Sequence, residues 1–159
     1  MILYTVQHEN AYKKLLKKGY LEGDSKYIPE YYLDKYTWLV AKMREKLKIE
    51  GNYPIWFWRK EELCKEELVQ GYVLLKVNIP EGSIVATHFD AWNSILHDTP
   101  IALNEDEWEV TEEQNKKTWE RIFEINKLNN HEYWEASETQ YTAFNLESKN
   151  ILEVLYPQK

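Results

Sequence analysis

Apolar residues along this chain switch between two spacings, and each switch marks an element. Residues 2–6 form a short extended run, and from His8 to Lys18 a helical pattern turns Ala11, Tyr12, Leu15 and Leu16 inward before Gly19 stops it. After a turn at Glu22-Gly23-Asp24-Ser25, a second helical pattern over about 29–48 sets Tyr32, Tyr36, Leu39, Val40, Met43 and Leu47 on one stripe, with Gly51-Asn52 at its end. Residues 53–58 are apolar without interruption, which predicts a strand buried on both faces or facing a pocket. Beyond a charged segment, residues 71–79 alternate strictly, with Val73, Leu75, Val77 and Ile79 on one side, and Pro80-Glu81-Gly82 turns the chain into a short strand over 83–87.

The second half continues with a short helix carrying Trp92, Ile95 and Leu96, for which Asp90 is the predicted cap. An acidic loop over 104–109 leads to Thr111-Glu112-Glu113-Gln114, a capping-box pattern that opens a helix reaching about Lys127, with Trp119, Ile122, Phe123 and Asn126 inward. Residues 140–146 and 151–156 read as two closing strands. Strands separated by helices early and clustered late predict an α+β fold: a single domain over 1–159, its sheet mixed or mainly antiparallel, flanked by three to four helices.

At 159 residues the chain is long enough to bury a sizeable core without staples. Its net charge of −7 argues against broad nucleic-acid binding and against an anionic membrane surface, so any anion has to be met locally. Lysines at 13, 14, 17, 18, 42, 46 and 48 fall at helical spacing and read as a solvated face. The single Cys64 forms no internal disulfide, which fits a reducing compartment, and its carboxylate neighbours disfavour a thiolate. No signal-peptide pattern opens the chain and no apolar run reaches membrane-spanning length, so a cytoplasmic location is expected.

Several chemistries drop out. His8, His88, His97 and His131 lack the spacing of zinc ligands, so no metal is expected. Glycines stand singly at turns, excluding a phosphate loop, and no serine sits in a nucleophile elbow. His88 with Asp90 has the composition of a base and its orienting carboxylate, but a helix cap is the stronger reading.

What remains is Tyr53-Pro54-Ile55-Trp56-Phe57-Trp58-Arg59, which sets two tryptophans beside one of only three arginines. Indole faces stack on a base or nicotinamide ring, and a guanidinium pairs bidentately with phosphate; core packing is the competing role for both indoles. Glu138 and Gln140 alternate at the start of a terminal strand, so they share a face, either to address one ligand or as ordinary edge polarity.

Thr5-Val6-Gln7, Gly19, Tyr36-Thr37-Trp38, Tyr53-Pro54-Ile55-Trp56-Phe57-Trp58, Leu74-Leu75 with Pro80, Asp90-Ala91-Trp92, Trp119 with Ile122-Phe123, and Gln140 with Phe144 resemble a bacterial and phage family, domain of unknown function 3841. That resemblance implies a compact domain and no particular activity. More distantly, the opening strand, the helix closed by Gly19, the strand near residue 55, Val77-Asn78-Ile79-Pro80 and the late Glu138-Thr139-Gln140 resemble the layout of ADP-ribosyltransferases, which implies an NAD site. By position Thr5 falls where many of those enzymes carry a histidine and Gln140 where the catalytic glutamate belongs; both depart from the pattern and remove electrostatic stabilisation that transfer depends on.

Three functions follow as expectations. The first is a binding module for a nucleotide or an ADP-ribose- or NAD-derived small molecule, with Gln7, Tyr36, Trp56, Trp58, Arg59 and Gln140 as ligand contacts and no cofactor required; in a phage setting it would sequester a nucleotide immune signal. The second is an ADP-ribosyltransferase or NAD-glycohydrolase-like enzyme with Glu138 as its carboxylate. The third is a protein-interaction domain anchored by the aromatics.

Overall fold

The computed structural model describes residues 1–158. Eight strands and five α-helices follow in the order β1 (Ile2–His8), α1 (Glu9–Lys18), β2 (Tyr20–Glu22), α2 (Leu33–Leu47), β3 (Ile55–Trp58), β4 (Tyr72–Asn78), β5 (Val85–His88), α3 (Phe89–Leu96), α4 (Glu112–Thr118), α5 (Ile125–Asn129), β6 (Thr139–Ala143), β7 (Asn145–Glu147) and β8 (Ile151–Leu155). Single 3-10 turns lie between them. The fold is α+β: a six-stranded sheet in the order β5-β6-β3-β1-β4-β8 and a two-stranded sheet of β2 and β7. Chain contacts divide into two compact units, residues 1–85 with the segment from Tyr141 onward, and Ala86–Gln140.

In the first unit β4 keeps Val73, Leu75, Val77 and Ile79 on the predicted side, but Leu74, on the other side opposite Val6, is buried as well. β1 pairs antiparallel with β4 over its whole length, from Ile2 opposite Asn78 to His8 opposite Tyr72, and β4 pairs antiparallel with β8. Leu3, Ile55, Phe57, Val73, Leu75, Val77 and Ile79 fill one side of this sheet, where Leu15 of α1, Ala143 and Leu146 close the core. Helix α1 starts where the His8 ring nitrogen Nδ1 accepts the Asn10 N–H at 3.0 Å, and ends at Gly19, whose φ of 85° only glycine adopts cheaply. Leu16, expected inward, is exposed, because Leu15 alone occupies the turn that faces the sheet.

Several element boundaries differ from those the sequence predicts. Helix α2 begins at Leu33 after a separate 3-10 turn over Glu30–Tyr32, and it ends at Lys48 in the left-handed region rather than at Gly51. Gly51 serves packing instead. A Cβ there would lie 2.1 Å from the Phe144 ring, so the residue is small because that buried ring covers it. β5 is not a neighbour of β4, although a short turn joins them. The single strand expected over 140–146 is two strands, split at buried Phe144, with β7 leaving to pair with β2 through Leu21 opposite Leu146.

The second unit packs Ala91, Trp92, Ile95, Ile101, Ala102, Trp119, Ile122 and Leu128 into its interior. Its long predicted helix is broken: the capping box at Thr111 and Gln114 forms, but α4 stops at Thr118, a 3-10 stretch carries Trp119–Phe123, and α5 follows. Side-chain bonds to loop backbone stabilise these short pieces. Thr118 Oγ1 accepts the Ile101 N–H at 2.9 Å, Trp134 Nε1 donates to the Ala102 carbonyl at 2.8 Å, and Arg121 donates to the Ile101 carbonyl at 2.7 Å while pairing with Glu107 at 2.7 Å. The hydrogen bond from Arg121 holds the Glu107 carboxyl below its usual range, against the opposing pull of partial burial. Asn126, placed inward by periodicity, is exposed, and the buried polar residues of α4 are Asn115 and Thr118.

Candidate functional site

Period-two geometry on β3 separates its four residues cleanly. Ile55 and Phe57 enter the closed core, and Trp56 and Trp58 stand half-buried on the opposite face. The strand is therefore not buried on both sides. Helix α2 supplies Tyr36 to this second face: Trp56 Nε1 donates to Tyr36 Oη at 3.2 Å, and the two rings meet edge to face with centroids 6.4 Å apart. The hydrogen bond orients the Trp56 indole, and the remaining ring surface is that of a half-buried group.

Cross-strand register extends the aromatic face in a way the sequence does not reveal. Tyr4 lies opposite Trp58 on one side and opposite Lys76 on the other, and Lys76 lies opposite Glu153, so Trp58, Tyr4, Lys76 and Glu153 form one row across four strands of the sheet. Tyr4 and Lys76 are residues that sequence reasoning missed, because only the pairing of β1 with both neighbours brings them into line with Trp58. Lys35, the residue before Tyr36, is a third: it is only 6% exposed, on the inward stripe of α2, with Nζ 3.4 Å from Asp34 Oδ1. Its place one turn before Leu39 is visible in the helical spacing, but a lysine on an apolar stripe reads by default as a boundary residue.

The predicted ligand contacts do not all converge. Tyr36, Trp56 and Trp58 share the indole face. Arg59 follows directly on the strand, exposed, with Nη1 3.4 Å from the Ile2 carbonyl. Gln7 belongs to the other side of β1, with Leu3 and Thr5; its amide donates to Thr5 Oγ1 at 2.9 Å, and Thr5 donates to the Trp56 carbonyl at 2.8 Å. That pair ties β1 to β3 from the α1 side of the sheet, so Gln7 and Thr5 do not address the indole face. Glu138 and Gln140 lie in the second unit, where Glu138 accepts the Phe89 N–H and Gln140 accepts the Thr87 hydroxyl through their backbone carbonyls.

His88 is a structural acceptor rather than a base, and it, not Asp90, caps α3. It is fully buried; Nδ1 accepts the Ala91 N–H at 3.2 Å, so the proton sits on Nε2, which donates to Asn129 Oδ1 at 2.9 Å. Asn129 Oδ1 also accepts the Ser137 N–H at 3.1 Å, so one imidazole joins the start of α3 to the end of α5 and the segment after it. Burial lowers the His88 pKa, with Asn129 and Asp90 pulling the other way. A folded-state pKa below the unfolded value near 6.5 means stability is complete above that pH and declines as pH falls beneath it. Urea midpoints measured at about pH 7.5 and about pH 5.5, either side of that value, are expected to differ more in the natural chain than in His88→Asn; equal differences would remove His88 from this role.

Cys64 is buried, and burial together with Glu67 and Glu61 pushes its thiol up to about 12, so it is no nucleophile. Among the described residues no group of three or more His, Cys, Asp or Glu side chains is placed to hold a metal ion, and no helix is long and apolar enough to cross a membrane.

Comparison with curated proteins and with solved structures finds no match. A family model does match, over residues 2–117, a span that takes in β1, α1, α2, the indole strand β3, β4, and the Asp90-Ala91-Trp92 turn of α3. On that match the chain belongs to the family described as Domain of unknown function (DUF3841).

Proposed function

We propose that the chain is a binding module for a nucleotide or an ADP-ribose- or NAD-derived small molecule, held on the indole face of the first unit. The observation that carries this reading is the strict partition of β3: two indoles are kept out of a core that had room for aromatic Phe57, and one of them is oriented by a tyrosine hydroxyl. Rings in that setting offer stacking surface at little cost in conformational entropy, because Trp56 is already fixed before a ligand arrives. Arg59, exposed where the chain leaves β3, supplies the guanidinium for a phosphate, and Lys76, in register with Trp58 through Tyr4 and opposite Glu153 of β8, supplies a cation on the indole face.

This assignment leaves Gln7 and Gln140 out and rests on Tyr36, Trp56, Trp58, Arg59 and Lys76. An ADP-ribosyltransferase-like layout is part of the proposal, supported by an opening strand in the interior of the sheet and by the helix after it closing at Gly19. A role in sequestering a nucleotide signal would need binding without turnover.

Titration calorimetry with NAD and with ADP-ribose tests the proposal. The natural chain is expected to bind, and Arg59→Ala to weaken binding roughly tenfold or more, the worth of a hydrogen bond to a charged group, with an unchanged melting temperature. Binding by Arg59→Ala and Trp58→Ala at natural strength would remove the site. Nicotinamide released on incubation with NAD, and lost in Glu138→Gln, would replace the module by the enzyme.

A further inference from the structure

We infer that a second surface of the first unit, built by the end of α1 and the segment after it, binds single-stranded nucleic acid. Between residues 13 and 31 stand Lys13, Lys14, Lys17, Lys18 and Lys26 against Glu22, Asp24 and Glu30, a local balance of +2 in a chain whose net charge is −7, with Lys26 ion-paired to Asp24 at 3.6 Å. All five lysines are exposed. The four on α1 fall within six consecutive residues of one helix, so their stems leave the axis within roughly 8 Å of one another.

The same stretch exposes aromatic rings. Tyr20 is 46% exposed, Tyr27 66% and Tyr31 70%, and Leu16 lies uncovered beside them in sequence. Rings this open contribute little to folding, since each leaves much of its apolar surface in water. Lys26 Nζ sits 5.0 Å from the centre of the Tyr27 ring, and Tyr31 meets Tyr32 edge on at 4.4 Å, so two of the three rings are partly oriented from one side. The backbone beneath is held down: Gly19 accepts the Ser148 N–H at 2.9 Å, β2 pairs with β7, and Gly23 lies so close to the Tyr53 and Pro54 carbonyls that no side chain fits between them.

A cluster of cations followed along the chain by exposed rings on a firm backbone suits an anion that also carries flat π-faces. Single-stranded nucleic acid has one phosphate and one stackable base per residue, whereas an acidic peptide offers the charge without the rings. The charge balance also selects against a duplex. A stiff double helix extends straight past a patch this small and over acidic surface, while a flexible single strand can leave the patch where the positive field ends.

Fluorescence anisotropy with a labelled oligothymidylate of about a dozen nucleotides tests the inference on the intact chain. Affinity is expected to fall between about 50 and 200 mM salt with a logarithmic slope of about −2 to −3, the value for three or four phosphates neutralised on a single strand. Replacing Lys13, Lys14, Lys17 and Lys18 by Gln should flatten that slope; Tyr27→Ser with Tyr31→Ser should keep the slope and lower affinity roughly tenfold or more, the loss of one or two stacked bases. Every substituted side chain is exposed, so melting temperatures should match the natural chain and Arg59→Ala should bind the oligonucleotide normally. Absence of binding at low salt, equal binding by the substituted chains, equal binding to a duplex of the same length, or equal competition by polyglutamate would each overturn it. NAD titration of the lysine and tyrosine variants reports on the indole face separately, so failure of one site does not imply failure of the other.

Discussion

Phe57→Ala is expected to destabilise the chain by about 4 kcal/mol, the cost of deleting a fully buried aromatic ring and leaving its cavity. In a chain of this size such a loss lowers the melting temperature by roughly 12 °C, measurable by circular dichroism or calorimetry. Phe57 is 0% exposed and belongs to the cluster with Leu3, Leu15, Val73, Leu75 and Val77. Its neighbours in sequence face the other way, so Trp58→Ala should cost well under half as much although it removes more atoms. The comparison tests the partition of β3 directly. Equal losses for Phe57→Ala and Trp58→Ala would mean that both faces of the strand are core, and the indoles would lose their standing as ligand contacts.

Gly23→Ala is the second large effect, about 3 kcal/mol, and it comes from backbone rather than from a side chain. A Cβ at this position would lie 2.3 Å from the Tyr53 carbonyl oxygen and 2.7 Å from that of Pro54. Neither oxygen can rotate aside, so the loop before β3 has to move away from the segment after β2, a case of overpacking at its upper range. Gly82→Ala is the control: nothing lies within 4 Å of the added carbon and the backbone there is not left-handed, so stability should hold or rise slightly as the unfolded chain loses freedom. Chemical denaturation of the two variants side by side decides the matter, and a Gly23→Ala midpoint equal to that of Gly82→Ala would show the two segments to be apart. The same displacement would shift Trp56 and Trp58, so nucleotide binding should weaken in Gly23→Ala even where the protein remains folded.

Much of this architecture is readable from local pattern. The alternation of Val73, Leu75, Val77 and Ile79 names the buried side of β4, the helical spacing around Leu15 and Gly19 names α1 and its stop, and Thr111 with Gln114 names the start of α4. Where local pattern misleads, a longer-range bond explains why. Asp90 is a favoured cap residue, yet His88 holds that place because its other ring nitrogen is engaged by Asn129, 41 residues away. The helix expected through Trp119 to Lys127 gives way to a 3-10 stretch and α5 at the place where the Thr118 and Arg121 side chains bond to the backbone of Ile101.

The candidate site divides in the same way. Its aromatic members, Tyr36, Trp56 and Trp58, are legible because side chains of that size, set two apart on a strand or inward on a helix, have few roles. Gln7 groups with them by sequence because it is polar and close to the end of the first strand, but a strand shows its residues to two sides in turn, and Thr5 and Gln7 follow Leu3 to the α1 side. Tyr4 and Lys76 stay hidden for the complementary reason, since nothing in either segment announces that both stand in one row with Trp58.

Short-range chemistry settled the side of β4 that carries Val73, Leu75, Val77 and Ile79, the stop of α1 at Gly19, and the capping box that opens α4. Strand order, the departure of β7 to a second sheet at Phe144, and the choice of side for Gln7 came from pairings between segments dozens of residues apart. Periodicity records which positions share a face but not which strand lies beside which, because hydrogen bonds between backbones carry no residue identity; only closure of a common core selects one register from the many that the backbone would accept.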